Sequence, residues 1–254
     1  MKEILSIKPA GASKALRKGS AGRCLQGGVE HIKLTSMDHN TFYRLKSIAD
    51  HLTEKFRDTS YSLLDVGGGD GSLRLFLPQA SYVIADPRIN GISGTELPFG
   101  DKSFDAVVAC HVLEHIGRQQ RIKFLDQLCS KAKRYVILLN PFQYKEKPTR
   151  ESLDLFISVE NSDWAKEHKR CAEPAMEEIE NYARSRGIKL AYKPNGTLAA
   201  AMAVEFMNYF AKIAGRKYQA DMINEFFNTA LYKTLDSDMY PNGYLVEFDL
   251  SEPE

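Results

Sequence analysis

The chain has 254 residues, 43% hydrophobic and 26% charged, enough to bury the core of one α/β domain with additions, or of two small domains. Lys plus Arg number 34 against 33 Asp plus Glu, a balance with no global pull toward nucleic acid or an anionic membrane. Cys24, Cys110, Cys129 and Cys171 are scattered without a C-x-x-C pair, which argues against a disulfide framework or thiolate zinc site and for a cytoplasmic protein.

The first 23 residues carry Lys2, Lys8, Lys14, Arg17, Lys18 and Arg23 against Glu3 alone. They read as a solvated tail or as an arm over an anionic substrate. No apolar run there suits a signal peptide. Phe42, Leu45, Ala49, Leu52 and Phe56 predict an amphipathic helix, capped near Asp38 or Asn40. Tyr61 to Val66 reads as a buried strand ended by glycines, Ser81 to Ala85 as a second, and Phe104 to Ala109 as a third. A helix with Ile122, Leu125, Leu128 and Ala132 on one face follows, then a strand from Arg134 to Leu139. Such alternation predicts an α/β fold, a mostly parallel sheet with helices on both faces.

Beyond Pro148 the pattern changes. Leu153 to Arg170 is a polar excursion with the single tryptophan, Trp164. Pro174 to Arg186 reads as a helix with proline in first position, acidic residues in the first turn, and Gly187 as its stop. Ile188 to Tyr192 is a strand, closed by Pro194-Asn195-Gly196. Two amphipathic helices follow, one marked by Leu198, Met202, Phe206, Phe210 and Ile213, the other by Met222, Phe226, Ala230 and Leu231. Leu198 to Phe210, the most apolar stretch, is too short to span a membrane and carries Glu205 and Asn208. Tyr244 to Leu250 is the final strand.

The turn from Gly67 to Gly71 is read as joining a strand to a helix and can lay a ligand against backbone N–H groups. A dinucleotide fingerprint G-x-G-x-x-G needs glycine where Ser72 stands. The spacing of Asp65, Gly67, Gly69 and Gly71 is instead D-x-G-x-G-x-G. Asp86 ends the next strand, where a carboxylate can accept both ribose hydroxyls, as it does in NAD enzymes too. Leu97-Pro98-Phe99, then Phe104-Asp105-Ala106-Val107, then Leu113-Glu114-His115 complete the pattern. From about residue 61 to 142 the chain resembles the class I S-adenosylmethionine (SAM)-dependent methyltransferases, in their small-molecule, ubiquinone-biosynthesis-like branch (methyltransferase type 11).

The resemblance implies a Rossmann-like class I methyltransferase fold of seven strands, the last antiparallel, with SAM at the carboxyl ends of the strands. It implies methyl transfer to an oxygen or nitrogen of a small molecule or saccharide. Asp65, Gly67, Gly68, Gly69 and Gly71 would hold the methionine part, and Asp86 with Pro87 the ribose. Ser93, Thr95, Glu96 and Leu97 would lie at the adenine, and Cys110 and His111 at the end of the third strand near the methyl group. Relatives usually carry an acidic residue where Ser93 stands. The stretch after Asp86 is too short for a full helix and strand, so the usual helix is expected to be missing and the family's third strand short or absent.

The reaction needs in-line placement of nucleophile, methyl and sulfur, and a proton acceptor when the nucleophile is a hydroxyl. His111 and His168 are the candidates, for base catalysis or for orienting the substrate. Cys110 reads as a small strand-end residue, and Trp164 as a pocket wall or simple packing. His111-Val112-Leu113-Glu114-His115 also fits H-x-x-E-H, but no third ligand is marked and no metal is expected. Asn140-Pro141-Phe142 reads as a turn at a strand end.

The organisation expected is a single domain. Residues 1–60 form a tail and helix, 61–147 the SAM-binding core, 148–170 a cap excursion, and 171–254 a C-terminal half with inserted helices at 198–235. The inserted pair reads as a lid, as extra core, or as a homodimer contact. The rival functions are an RNA or protein methyltransferase, the nucleic-acid substrate being disfavoured by the neutral charge balance, and a non-catalytic subunit of the same fold.

Overall fold

The computed structural model describes residues 34–57, 59–143, 149–171 and 173–251. The basic segment and Cys24 lie outside them.

The first helix, α1 (His39–Phe56), starts where Asp38 accepts the N–H of Thr41 at 3.1 Å, so the cap is Asp38. Strand β1 (Tyr61–Val66) pairs in parallel with β2 (Ala80–Ala85) on one side and β3 (Phe104–Cys110) on the other. Next come α2 (Arg121–Lys131) and β4 (Ala132–Asn140), which is parallel to β3. Helices α3 (Thr149–Glu160), α4 (Asp163–Cys171) and α5 (Met176–Arg186) lead to β5 (Lys189–Asn195). Helices α6 (Leu198–Ile213) and α7 (Lys217–Ala230) precede β6 (Gly243–Asp249).

The sheet order is β2-β1-β3-β4-β6-β5, and β6 runs antiparallel to both neighbours. This is the mostly parallel sheet with an antiparallel last strand that the sequence predicts. It has six strands among the described residues, where the resemblance implied seven. From Asp86 to Ser103 the chain makes turns and extended backbone only, so the helix and third strand that relatives place there are missing, as the short spacing required.

Alternate residues of β1 point to opposite faces. Leu64 and Val66 join Phe124, Leu125 and Leu128 of α2 and Ile179 and Tyr182 of α5. Tyr61 and Leu63 join Ile48, Ala49, Leu52 and Phe56 of α1 on the other face. The chain reverses direction across the sheet between β1 and β3, so the carboxyl ends of these strands open a crevice.

Five local expectations are corrected. A 3-10 turn at Ser72–Phe76, not a full helix, follows the glycines; Pro78 and the start of β2 leave room for no more. On α2, Ile122 is 49% exposed and Phe124 fully buried, while Ala132 already belongs to β4. Helix α5 starts at Met176, because Pro174 is held in extended backbone: its carbonyl accepts the Gln143 N–H at 2.8 Å beside the Gln143–Ala175 bridge. Pro194 and Asn195 continue β5 rather than close it, which an edge strand permits.

The fifth correction concerns α6 and α7. Phe210, Ile213, Met222 and Phe226 face outward, each more than half exposed. The buried faces carry Val204, Asn208, Asn224 and Asn228. The amides can be buried there because they are partnered: Asn208 Nδ2 donates to Asn224 Oδ1 at 2.8 Å, and His39 Nδ1 of α1 stands 2.8 Å from Asn228 Oδ1. No helix among the described residues is long and apolar enough to cross a membrane.

Candidate active site

The glycine turn leaves β1 with left-handed backbone. Gly67 has φ +74°, and a side chain there would run into Val112. Gly69 has φ +53° with open space where a Cβ would stand. Its N–H donates to Asp86 Oδ2 at 3.1 Å, while Asp86 Oδ1 accepts the Arg88 N–H at 2.7 Å. Asp86 is buried at the end of β2, with Pro87 exposed after it.

Asp65 is buried on β1, beneath the turn. Tyr82 donates its hydroxyl to Asp65 Oδ2, and Oδ1 has no partner. Burial pushes this carboxyl up to about 6, with Asp86 and Asp70 adding to the rise and the Tyr82 bond opposing it.

The segment expected at the adenine lies before β3. The Ser93 and Thr95 hydroxyls are 2.9 Å apart. Glu96 is turned away, its carboxylate 2.8 Å from Lys123. Leu97 is buried and donates its N–H to Gln127 Oε1 at 2.9 Å. Gly94 is packed against Phe124 and Val66. Ser93, Thr95 and Leu97 are thus grouped on one loop, while the Glu96 side chain points elsewhere.

Cys110 and His111 end β3. His111 takes φ +55°, an uncommon conformation for a residue with a side chain, held by its N–H bond to Leu139 O at 2.8 Å. Its Nδ1 stands 3.0 Å from Glu114 Oε1, off the line of a hydrogen bond. Burial, helped by Arg44, lowers its pKa to about 4, so the imidazole is neutral. Burial also raises the Cys110 thiol to about 12, which fits a packing residue rather than a nucleophile.

Both residues line a cavity of about 460 Å³. Arg44 of α1, Pro141 after β4, Phe156 of α3, Trp164 and His168 of α4, and Met202 of α6 complete much of its wall. His168 is buried, with its Nε2 3.9 Å from Glu114 Oε1 and its pKa lowered by burial. The two histidines singled out in sequence, one just past β3 and one in the polar excursion, therefore meet across Glu114. Trp164 packs on Phe156 and His168, with ring centroids at 5.0 and 5.4 Å.

A family profile described as Methyltransferase domain matches residues 37–193. The chain belongs to the methyltransferase-domain family. The resemblance read from its motifs is borne out, and the enzyme is a SAM-dependent methyltransferase.

Solved structures share the fold at low identity. A methyltransferase assigned to an antibiotic biosynthesis pathway of Anabaena variabilis is 12% identical with TM-score 0.54, covering 81% of this chain and 98% of that one. A protein of Galdieria sulphuraria assigned as sarcosine dimethylglycine methyltransferase is 13% identical with TM-score 0.51, covering 82% and 85%. The plantazolicin methyltransferase BpumL, solved with a triazolic desmethylPZN analog and SAH (S-adenosylhomocysteine), is 13% identical with TM-score 0.50, covering 87% of each chain. No curated protein matches the chain.

The methyltransferase's own residues fit SAM. The unpartnered Asp65 oxygen, the open space above Gly69 and the buried Asp86 carboxylate at the strand ends are what a cationic amino acid joined to a ribose requires. Three further residues of this methyltransferase had no role in the sequence reading. Glu114 is fully buried and accepts the Asn140 amide at Oε2. Its signal was present in the H-x-x-E-H spacing. Asn140 lies in the segment read only as a turn. Arg44 reaches the cavity from the polar side of α1, where periodicity marks it as a surface cation.

Proposed function

We propose that this enzyme methylates an oxygen or nitrogen of a small molecule or saccharide bound in the cavity beside Cys110 and His111, with SAM seated on the glycine turn. One observation carries the reading. The β3 end serves both places, for Val112 packs against Gly67 of the turn while Cys110 and His111 line the cavity.

In this reading Asp65, Gly67, Gly68, Gly69 and Gly71 hold the methionine part, and Asp86 with Pro87 the ribose. Ser93, Thr95, Leu97 and the Glu96 backbone border the adenine. Bound SAM supplies a methyl group already activated on a sulfonium. The chain's task is placement and exclusion of water. His111 turns Nδ1 to Glu114, leaving Nε2 to take the acceptor's proton or to hold its hydroxyl in line. His168 contacts the acceptor from the opposite wall. Helices α3, α4 and α6, which pack together around Leu153, Phe156 and Ala165, act as the lid of one catalytic domain.

The test uses purified protein and SAM labelled in the methyl group, with pools of small hydroxy and amino compounds and saccharides as acceptors. Label transfer into a low-mass product supports the reading. Label accepted only by RNA or protein, or by nothing at all, contradicts it.

A further inference from the structure

The donor atoms of Glu114, His115 and His168 all lie within 4.8 Å of one another. Glu114 and His115 share the 3-10 turn Leu113–His115, just past the end of β3, and His168 comes from α4. The H-x-x-E-H run holds His111, Glu114 and His115; the cluster keeps Glu114 and His115 and takes His168 in place of His111. We infer that these three side chains form a site for a divalent transition metal of the Zn²⁺ type, open toward the acceptor cavity.

The Glu114 side chain is wholly buried, Asn140 satisfies Oε2, and Oε1 receives no aligned hydrogen bond although it lies 3.0 Å from His111 Nδ1 and 3.9 Å from His168 Nε2. A buried carboxylate oxygen left without an aligned donor is costly, and a cation held between it, His115 and His168 removes the cost. Glu167 Oε2 stands 3.4 Å from His115 Nδ1, and Asn140 holds Glu114. Metal-bound histidines and carboxylates are oriented by such outer partners.

Two imidazoles and one carboxylate suit Zn²⁺ and its first-row neighbours better than Mg²⁺ or Ca²⁺, which prefer all-oxygen shells. Metal bonds of about 2.0–2.2 Å ask for donors roughly 3.3 Å apart. The 3.9 Å between Glu114 Oε1 and His168 Nε2 is a small side-chain adjustment away. Three protein ligands leave a fourth position free. His115 and His168 both line the cavity, so that position faces the acceptor. Its use to hold an acceptor oxygen rests on the function proposed above; the metal site itself does not.

The test titrates EDTA-treated, desalted protein with Zn²⁺ by calorimetry and with Co²⁺ by visible absorption. One equivalent should bind with micromolar affinity or better, and Co²⁺ should give the intense visible bands of a four- or five-coordinate site. His115→Ala and His168→Ala should each weaken binding at least tenfold. Both variants sit at the cavity wall rather than in the sheet core, and SAH affinity measured on the same samples reports that they are folded. Binding below one equivalent, or equal binding by wild type and both variants, overturns the proposal. SAH binding by the wild type keeps a failure here separate from a failure of the methyltransferase reading.

Discussion

The backbone N–H of Gly69 donates to Asp86 Oδ2 at 3.1 Å. This bond ties the glycine turn after β1 to the end of β2. It fixes the spacing between the turn and the carboxylate, where the amino-acid and ribose parts of SAM are proposed to bind.

Asp86→Ala removes that acceptor and the one for the Arg88 N–H. It should lower SAM affinity at least tenfold, since hydrogen bonds to a charged group contribute roughly 1.5–3 kcal/mol. Asp86→Asn should lose less than Asp86→Ala. Calorimetric titration of both variants decides; equal affinities for wild type and Asp86→Ala would remove Asp86 from the site.

Asp65 gives a pH prediction. Its carboxyl is raised from 3.8 to about 6 in the fold. Between these values the folded chain holds a proton that the unfolded chain has lost, so stability falls as pH rises from about 4 to 6 and stays lowered above. The full cost is roughly 3 kcal/mol. Asp65→Asn should therefore raise the Tm of the ligand-free protein at pH 7.5. The gap should narrow as pH falls from 6 to 4, and SAM affinity should drop. A Tm difference independent of pH would show that Asp65 is not raised.

Of the face predicted for α2, Leu125 and Leu128 pack in the core, but Phe124 is buried there and Ile122 is not. Phe124 is wholly buried between the sheet and Gly94. Phe124→Ala should cost about 3–5 kcal/mol, read as a lower urea midpoint. Ile122→Ala, at a half-exposed position, should change stability by less than about 0.5 kcal/mol. The reverse order would contradict the packing.

Ala201 is buried on α6 and lines the cavity. Ala201→Phe fills acceptor space without reaching the glycine turn. SAH affinity should stay within twofold of wild type while label transfer falls at least tenfold. Loss of both together would mean that cavity and cofactor site are not separable.

Much of this was legible in the chain. The strands from Tyr61 to Asn140 are apolar on both faces and punctuated by Gly67, Asp86 and Pro141, so period and stops agree. The missing third strand followed from the short run between Asp86 and Leu97. What sequence missed depends on contacts distant along the chain. The outward faces of α6 and α7 could not be read, because buried Asn208, Asn224 and Asn228 look like a solvated stripe until His39 and each other are placed beside them. Pro174 resembles a helix start, and only its bond to Gln143 shows otherwise. His111 and His168 were each visible, but not their meeting at Glu114, since α4 reaches that point through the tertiary fold.

The most direct test of the account is calorimetric titration of the intact protein with SAH. Binding of one equivalent with micromolar affinity is expected, lost in Asp86→Ala and kept in Ala201→Phe. No binding by folded wild-type protein would contradict it.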